Sequence, residues 1–269
     1  MTWQEVGDRV FTRRYRFFNQ QIGAVLADRD VLIVDTRSTP AQAREIVADL
    51  RELTRDPVSV VVDTHWHFDH AFGNGTFRPA SIWGHARTVD RLLSRGRATI
   101  EEVAEEIPAI ASDIREVTID PPDRTFEDRA TVELRGRAVD LHYLGRGHTD
   151  TDIVIVVPDA AVLFAGDLVE GQAPPGFGDS YPLEWPATVE RMLSLVSGSV
   201  VPGHGNVAGR AFVEDQLDGF RALAGLARRI HAGDLDIESA IEAAPFDADA
   251  SVGREALDRA LAQLRGELD

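Results

Sequence analysis

The chain contains neither cysteine nor lysine. Without cysteine, disulfides, thiol nucleophiles, thiolate metal sites and cysteine-held iron–sulfur clusters are excluded. Without lysine there is no Schiff-base amine, no phosphate-loop lysine and no Ser–Lys dyad. Positive charge is scarce as well: 28 basic residues, all Arg, face 45 acidic ones, for a formal net charge of −17. Such a surface field repels phosphates, so no nucleic-acid partner is expected. No apolar run reaches the roughly 18 residues of a membrane span, and no membrane partner is expected. The opening, Met1 to Val10, lacks a basic segment followed by an apolar one. The expectation is a cytoplasmic protein with no signal peptide.

What is present is a globular composition, 43% hydrophobic and 27% charged over 269 residues. That length suits one large α/β core, with between one and two domains as the prior. Ile22 to Ala27 and Val31 to Asp35 read as a hairpin turning at Asp28-Arg29-Asp30. Ser38-Thr39-Pro40 opens a helix whose apolar residues Ala43, Ile46, Val47, Leu50 and Leu53 follow helical spacing. Val58 to Val62 reads as a strand buried on both faces. Helices are expected over Ala86 to Leu93 and Ile100 to Ile114, the second interrupted by Pro108. Two more hairpins follow, Thr131–Leu134 with Ala138–Leu144 and Ile153–Val157 with Ala161–Ala165. Leu168 to Pro186 is rich in Gly and Pro and reads as a functional loop. A helix from Ala187 to Val196 and a strand from Ser199 to Val201 come next, and from about Arg210 the pattern is helical.

The chemistry concentrates directly after the buried strand, at Thr64-His65-Trp66-His67-Phe68-Asp69-His70. On extended backbone alternate residues share a face, so His65 and His67 point the same way. A turn near Phe68 brings Asp69 and His70 toward the same volume. Imidazole with carboxylate suits zinc, iron or manganese. Gly147-His148, Gly166-Asp167 and Gly203-His204 each follow a strand pattern among small residues. Ligands in α/β folds gather at one edge of the sheet, which makes a shared site the expectation.

His-x-His-x-Asp-His followed in order by Gly-His, Gly-Asp and Gly-His resembles the metallo-β-lactamase-fold hydrolase superfamily, from about Val10 to Gly205. The resemblance implies an α/β fold, a four-layer αββα sandwich of two mixed sheets flanked by helices. It implies a domain over residues 1–209, with 210–269 a C-terminal helical extension packed on it. It also implies two divalent metal ions, zinc first, with iron or manganese suitable. His65, His67 and His148 would bind the first; Asp69, His70 and His204 the second; Asp167 would bridge. Two such cations outweigh two carboxylates and a hydroxide, so the centre stays electrophilic after making its own nucleophile. A metal-bound hydroxide is the expected nucleophile, with Asp69 and Asp167 in the catalytic set.

The superfamily acts on β-lactams, lactones, thioesters, phosphodiesters and sulfate esters, so the fold does not choose the substrate. The best-known lactamase subclass carries a Cys at the second metal, which this chain lacks. From Asn206 onward acidic residues outnumber Arg, a poor match to glutathione thioesters. The expectation is a small-molecule ester, lactone, thioester or related carbonyl substrate. Rival readings are a mononuclear non-haem iron oxidoreductase of the persulfide dioxygenase type and a non-catalytic metal-binding protein. Trp66, Phe68, Phe72, Phe177, Tyr181 and Trp185 are candidates for an apolar pocket. Tyr181 is the candidate phenol for polarising a substrate carbonyl. His142 and His231 read as structural, and His85 as a residue behind the ligands.

Overall fold

A computed structural model describes residues 2–246 and 250–268. Among them the chain forms two sheets. The first has seven strands in sequence order: β1 (Gln4–Gly7), β2 (Val10–Arg14), β3 (Gln21–Leu26), β4 (Val31–Val34), β5 (Val58–Val62), β6 (Ser81–His85) and β7 (Arg124–Phe126). Pairing is antiparallel from β1 to β4 and parallel from β4 to β7. The second sheet holds β8 (Arg129–Leu134), β9 (Arg137–Tyr143), β10 (Ile153–Val157), β11 (Val162–Glu170) and β12 (Ser199–His204), in the order β12-β11-β10-β9-β8. Only β11 with β12 is parallel there.

The two-residue period of the strands sorts their side chains into layers. Val25, Leu32, Val34, Val60 and Val62 meet Val139, Leu141, Ile153, Ile155 and Phe164 between the sheets. The outer face of the first sheet, Ile22, Ile33, Val61 and Ile82, is covered by Ala43, Ile46 and Leu50, from and just beyond α1 (Pro40–Asp49). Thr39 caps that helix by accepting from the Gln42 amide. A short helix α2 (Phe68–Ala71), the long α3 (Ala86–Glu106) and α4 (Ala111–Ile114) build a satellite cluster around Trp66, Phe72, Leu92 and Ile100.

The outer face of the second sheet, Val154, Val156 and Leu163, is buried under α5 (Trp185–Leu193), α6 (Arg210–Ala232), α7 (Ile237–Glu242) and α8 (Ala250–Leu264). The result is the αββα sandwich. Residues 247–249 and 269 of the expected extension lie outside the described residues. No helix among the described residues is long and apolar enough to cross a membrane.

The helix expected over Ala86 to Leu93 and the first part of the one expected over Ile100 to Ile114 are a single helix, α3, and the interruption expected at Pro108 separates it from α4. The chain continues through Gly96, whose bare Cα lets Ile119 approach, and stops at Glu106 ahead of Pro108, which lacks an amide hydrogen. Burial of Leu92, Ile100 and Val103 offsets the roughly 1 kcal/mol that glycine costs in mid-helix. Strand β11 also outruns its apolar run, remaining extended through Asp167 to Glu170.

Candidate metal centre

Every expected donor sits where a strand has just ended or is ending, at one edge of the sandwich. After β5 the chain crosses His65 and reaches His67, whose carbonyl accepts from the amides of His70 and Ala71 and starts α2. That single turn swings Asp69 and His70 back over the end of the sheet. His148 lies in the β9–β10 loop, Asp167 near the end of β11 and His204 at the end of β12. Gly166 has φ +52, a left-handed conformation that favours glycine, with Thr64 packed against its Cα. At Gly203 a Cβ would collide with the Asp167 carboxylate. These small residues let strand ends close on the donors.

His65, His67, His148 and Asp167 form one group whose ligand atoms all lie within 4.8 Å of one another. Asp69, His70 and His204 form a second. Asp167 reaches both: Oδ1 is 3.4 Å from His70 Nε2, and Oδ2 is 3.2 Å from His204 Nε2 and 3.5 Å from His148 Nε2. Glu170, which the sequence reading missed, joins Asp167 and His204 in a further grouping.

The hydrogen bonds behind each imidazole decide which nitrogen keeps its lone pair. His70 Nδ1 donates to Asp35 (2.8 Å), His148 Nδ1 to the Gly176 carbonyl (3.1 Å) and His204 Nδ1 to the Phe18 carbonyl (2.7 Å). His67 donates from the other nitrogen, Nε2, to Asp179 (3.0 Å). The Thr64 hydroxyl gives its hydrogen to Asp35 (2.9 Å) and accepts from His65 Nδ1 (3.1 Å). The lone pairs left over all point inward. His67 Nδ1 then faces His148 Nε2 at 2.9 Å, and His70 Nε2 faces His204 Nε2 at 3.2 Å. Facing lone pairs repel; a cation between them turns the repulsion into ligation. Among the described residues, His65 Nε2 and Asp167 Oδ1 are buried without any hydrogen-bond partner. Two orphaned acceptors and two imidazole pairs are the donor chemistry of a cation site.

The electrostatics agree. Burial raises carboxyl values, yet His70 and His204 overcome it and bring Asp69 down to about 2. Asp167 is held well below the usual range against its own burial by His204, His70 and His65. Burial pulls imidazoles down and leaves His148 at about 4, whereas Asp179 carries His67 up to about 8. His70 and His204 stand well above normal because Asp167 and Asp69 outweigh burial. Burial, seconded by the Asp167 charge, raises Glu170 to about 8.

Asp35 and Asp179 are hydrogen-bond partners of the candidate ligands that the sequence reading missed. Asp35 ends a strand beside the motif and carried a positional signal, whereas nothing in the loop sequence singles out Asp179. Phe18 (φ +55) and Asn19 (φ +53) are left-handed non-glycine residues, a strained turn that aims the Phe18 carbonyl at His204.

The aromatic expectations need correction. Phe177 and Trp185 are 2% and 0% exposed and belong to the core under the second sheet, not to a pocket wall. Trp185 stacks on Phe220 (4.3 Å between centroids) and donates Nε1 to the Leu168 carbonyl. Phe72 is likewise buried, Trp66 is buried but also lines the cavity beside Asp179, and Phe68 packs edge-on to the exposed Phe18. Tyr181 stands outside the converging donors, with Arg146 4.2 Å over its ring, lining a neighbouring cavity. His85 caps α3 and stacks on Tyr143.

The family model of the metallo-beta-lactamase superfamily matches residues 15–204. A type 2 metallo-beta-lactamase of Bacteroides fragilis is 25% identical over 197 residues, 71% of this chain and 70% of that protein. Among solved structures, a metallo-beta-lactamase from Pontibacter korlensis superposes with a TM-score of 0.64 at 20% identity, over 81% of this chain and 98% of its own. A stereoselective inverting sec-alkylsulfatase from Pseudomonas sp. gives a TM-score of 0.78 at 14% identity. It is matched over 97% of this chain but only 50% of its own. The chain belongs to the metallo-β-lactamase superfamily and is a metal-dependent hydrolase.

Proposed function

We propose that the protein is a dinuclear hydrolase of small ester, lactone, thioester or related carbonyl compounds. One cation would be held by His65 Nε2, His67 Nδ1 and His148 Nε2, the other by Asp69, His70 Nε2 and His204 Nε2, with Asp167 between them. The observation that carries this reading is the inward convergence of these lone pairs, each fixed by a hydrogen bond on the opposite ring nitrogen. Bound divalent cations supply an activated water as nucleophile and a Lewis acid for the oxygen of the bond being cleaved.

The chain's own groups do the positioning. Asp69 is ionised at neutral pH and accepts from its neighbours, so it orients rather than donates. Asp167 spans both donor groups and fixes their spacing. Tyr181 remains in the reading as a substrate-facing phenol in the adjoining cavity. Zinc is preferred on the imidazole-rich donor set. A small-molecule substrate rather than nucleic acid is favoured by the net charge of −17. A cytoplasmic site of action completes the reading and comes from the sequence expectation. Sulfate esters stay among the substrates to be tried, since the alkylsulfatase shares the fold.

Metal analysis of protein purified without added metal, followed by a chromogenic panel of esters, lactones, thioesters, phosphodiesters and sulfate esters, tests the proposal. The expected result is two metal equivalents and turnover of at least one carbonyl class, both lost in Asp167→Ala. One iron per chain would sink the dinuclear reading, and two metals with near-normal turnover in Asp167→Ala would show that Asp167 does not bridge.

A further inference from the structure

Beside the donor cluster, on the side of Asp179, lies a cavity of about 210 Å³. Its wall carries Arg91 and Arg95, one helical turn apart on α3, and Arg259 on α8. Three guanidinium groups on one small cavity are unexpected in a chain with 45 acidic residues against 28 arginines. Carboxylates line it too, namely Asp150, Asp179 and Glu267. Each of these already has a partner. Asp150 is clamped by Arg91 in a two-pronged pair (Nε to Oδ1 3.0 Å, Nη2 to Oδ2 2.8 Å), Asp179 accepts from His67, and Glu267 pairs with Arg265. Among the described residues, neither Arg95 nor Arg259 makes an ion pair. The Arg259 Nε donates to the Ser180 carbonyl (2.7 Å), which sets the plane of its fork 5.7 Å from the Tyr181 ring. Arg95 is exposed on the surface of α3.

The cavity is joined to the chemistry through shared residues. Trp66 in its wall sits between His65 and His67, and Asp179 is the group that holds His67. We propose that this cavity takes a carboxylate carried by the substrate away from the bond being cleaved, bound by Arg95 and Arg259. A planar guanidinium matches a carboxylate's two oxygens and is less strongly hydrated than an ammonium, so it loses little on desolvation. The inference rests on the hydrolase reading and narrows its substrate class to acids with a second, reactive carbonyl.

Kinetics on the 4-nitrophenyl ester of hexanoic acid and the mono-4-nitrophenyl ester of adipic acid test it, because the two differ by a terminal carboxylate in place of a methyl. The adipate ester is expected to show a KM about tenfold lower, the scale of one charged hydrogen-bonded pair. Arg95→Ala and Arg259→Gln are each expected to bring the two KM values together. Equal KM values in the unaltered protein, or a ratio that both variants preserve, overturn the proposal. If neither ester is cleaved, the hydrolase reading fails for this class while the cavity is still judged by binding. A saturable change in tryptophan fluorescence with monomethyl adipate, lost in Arg95→Ala and absent with methyl hexanoate, supports the cavity. Binding that Arg95→Ala leaves intact overturns it.

Discussion

The imidazole pairs are the residues on which the centre turns. With metal removed, His67 and His148 face each other through lone pairs, as do His70 and His204, and each pair is relieved by one shared proton. The charges around them favour that proton: His67 is up at about 8 through Asp179, and His70 and His204 are raised by Asp167 and Asp69. A pair that holds such a proton at neutral pH must release it before it can ligate. Metal affinity should therefore strengthen as pH rises through about 8, where His67 gives up its proton, and weaken as it falls. Calorimetric titration of chelator-treated protein at pH 7, in buffers of different ionisation enthalpy, should show about two protons released when the proposed two-metal centre fills. Release of none would mean the pairs are not proton-bridged. The ligand types were legible in the sequence because histidine and aspartate at these spacings have few other uses. Asp179 and the Phe18 carbonyl were not, because a hydrogen-bond partner distant in sequence leaves no local pattern.

Helix α5 and the loop before it show how a composition signal mixes two roles. Glycines, prolines and aromatics between Leu168 and Pro186 suggest a pocket wall; Asp179 and Tyr181 do line the neighbouring cavity, but Phe177 and Trp185 pin the loop to the core. Trp185 begins α5, covers Phe220 of α6 and reaches the Leu168 carbonyl one residue past Asp167. Deleting so large a buried ring costs about 3–5 kcal/mol. Trp185→Ala should accordingly lower the melting temperature while leaving the ratio of KM values across acyl chain lengths as it was. A changed ratio at unchanged stability would return this ring to the substrate pocket. Helix α6 supports the same strand end. The side-chain amide of Gln216 bonds the Glu170 backbone on both sides, N–H to Oε1 at 3.2 Å and carbonyl from Nε2 at 2.7 Å. Glu170 in turn accepts from the Gly176 amide, next to the carbonyl that orients His148. The amphipathic pattern from Arg210 onward announced a helix but gave no hint of this clamp.

At the scale of the whole molecule, the helices after Gly209 close a core rather than decorate it. Val154, Leu163 and Val200 of the second sheet share one cluster with Val213, Leu217 and Phe220 of α6 and Leu257 and Ala260 of α8. A chain ended at Gly209 would present that sheet face to water. At roughly 25 cal/mol per Å² of apolar surface, re-exposure of this order exceeds the few kcal/mol by which domains are stable. The truncated chain is expected to lack a cooperative melt by circular dichroism and to bind a hydrophobic dye. A soluble, cooperatively melting fragment would show that residues 1–209 fold alone and that the helices are an appendage.

By itself the sequence determined the alternation of buried strands and amphipathic helices, the glycines at strand ends and the order of metal-type donors, because each is written in local spacing. It also excluded thiol and lysine chemistry by simple absence. Only the tertiary structure decided which lone pairs face one another, since the fixing partners Asp35, Asp179, Gly176 and Phe18 come from four separate segments. It likewise decided that Arg95 and Arg259, on helices 164 positions apart in the chain numbering, share one cavity. Charges that far apart in sequence meet only when two hydrophobic cores, packed independently, set the distance between their helices.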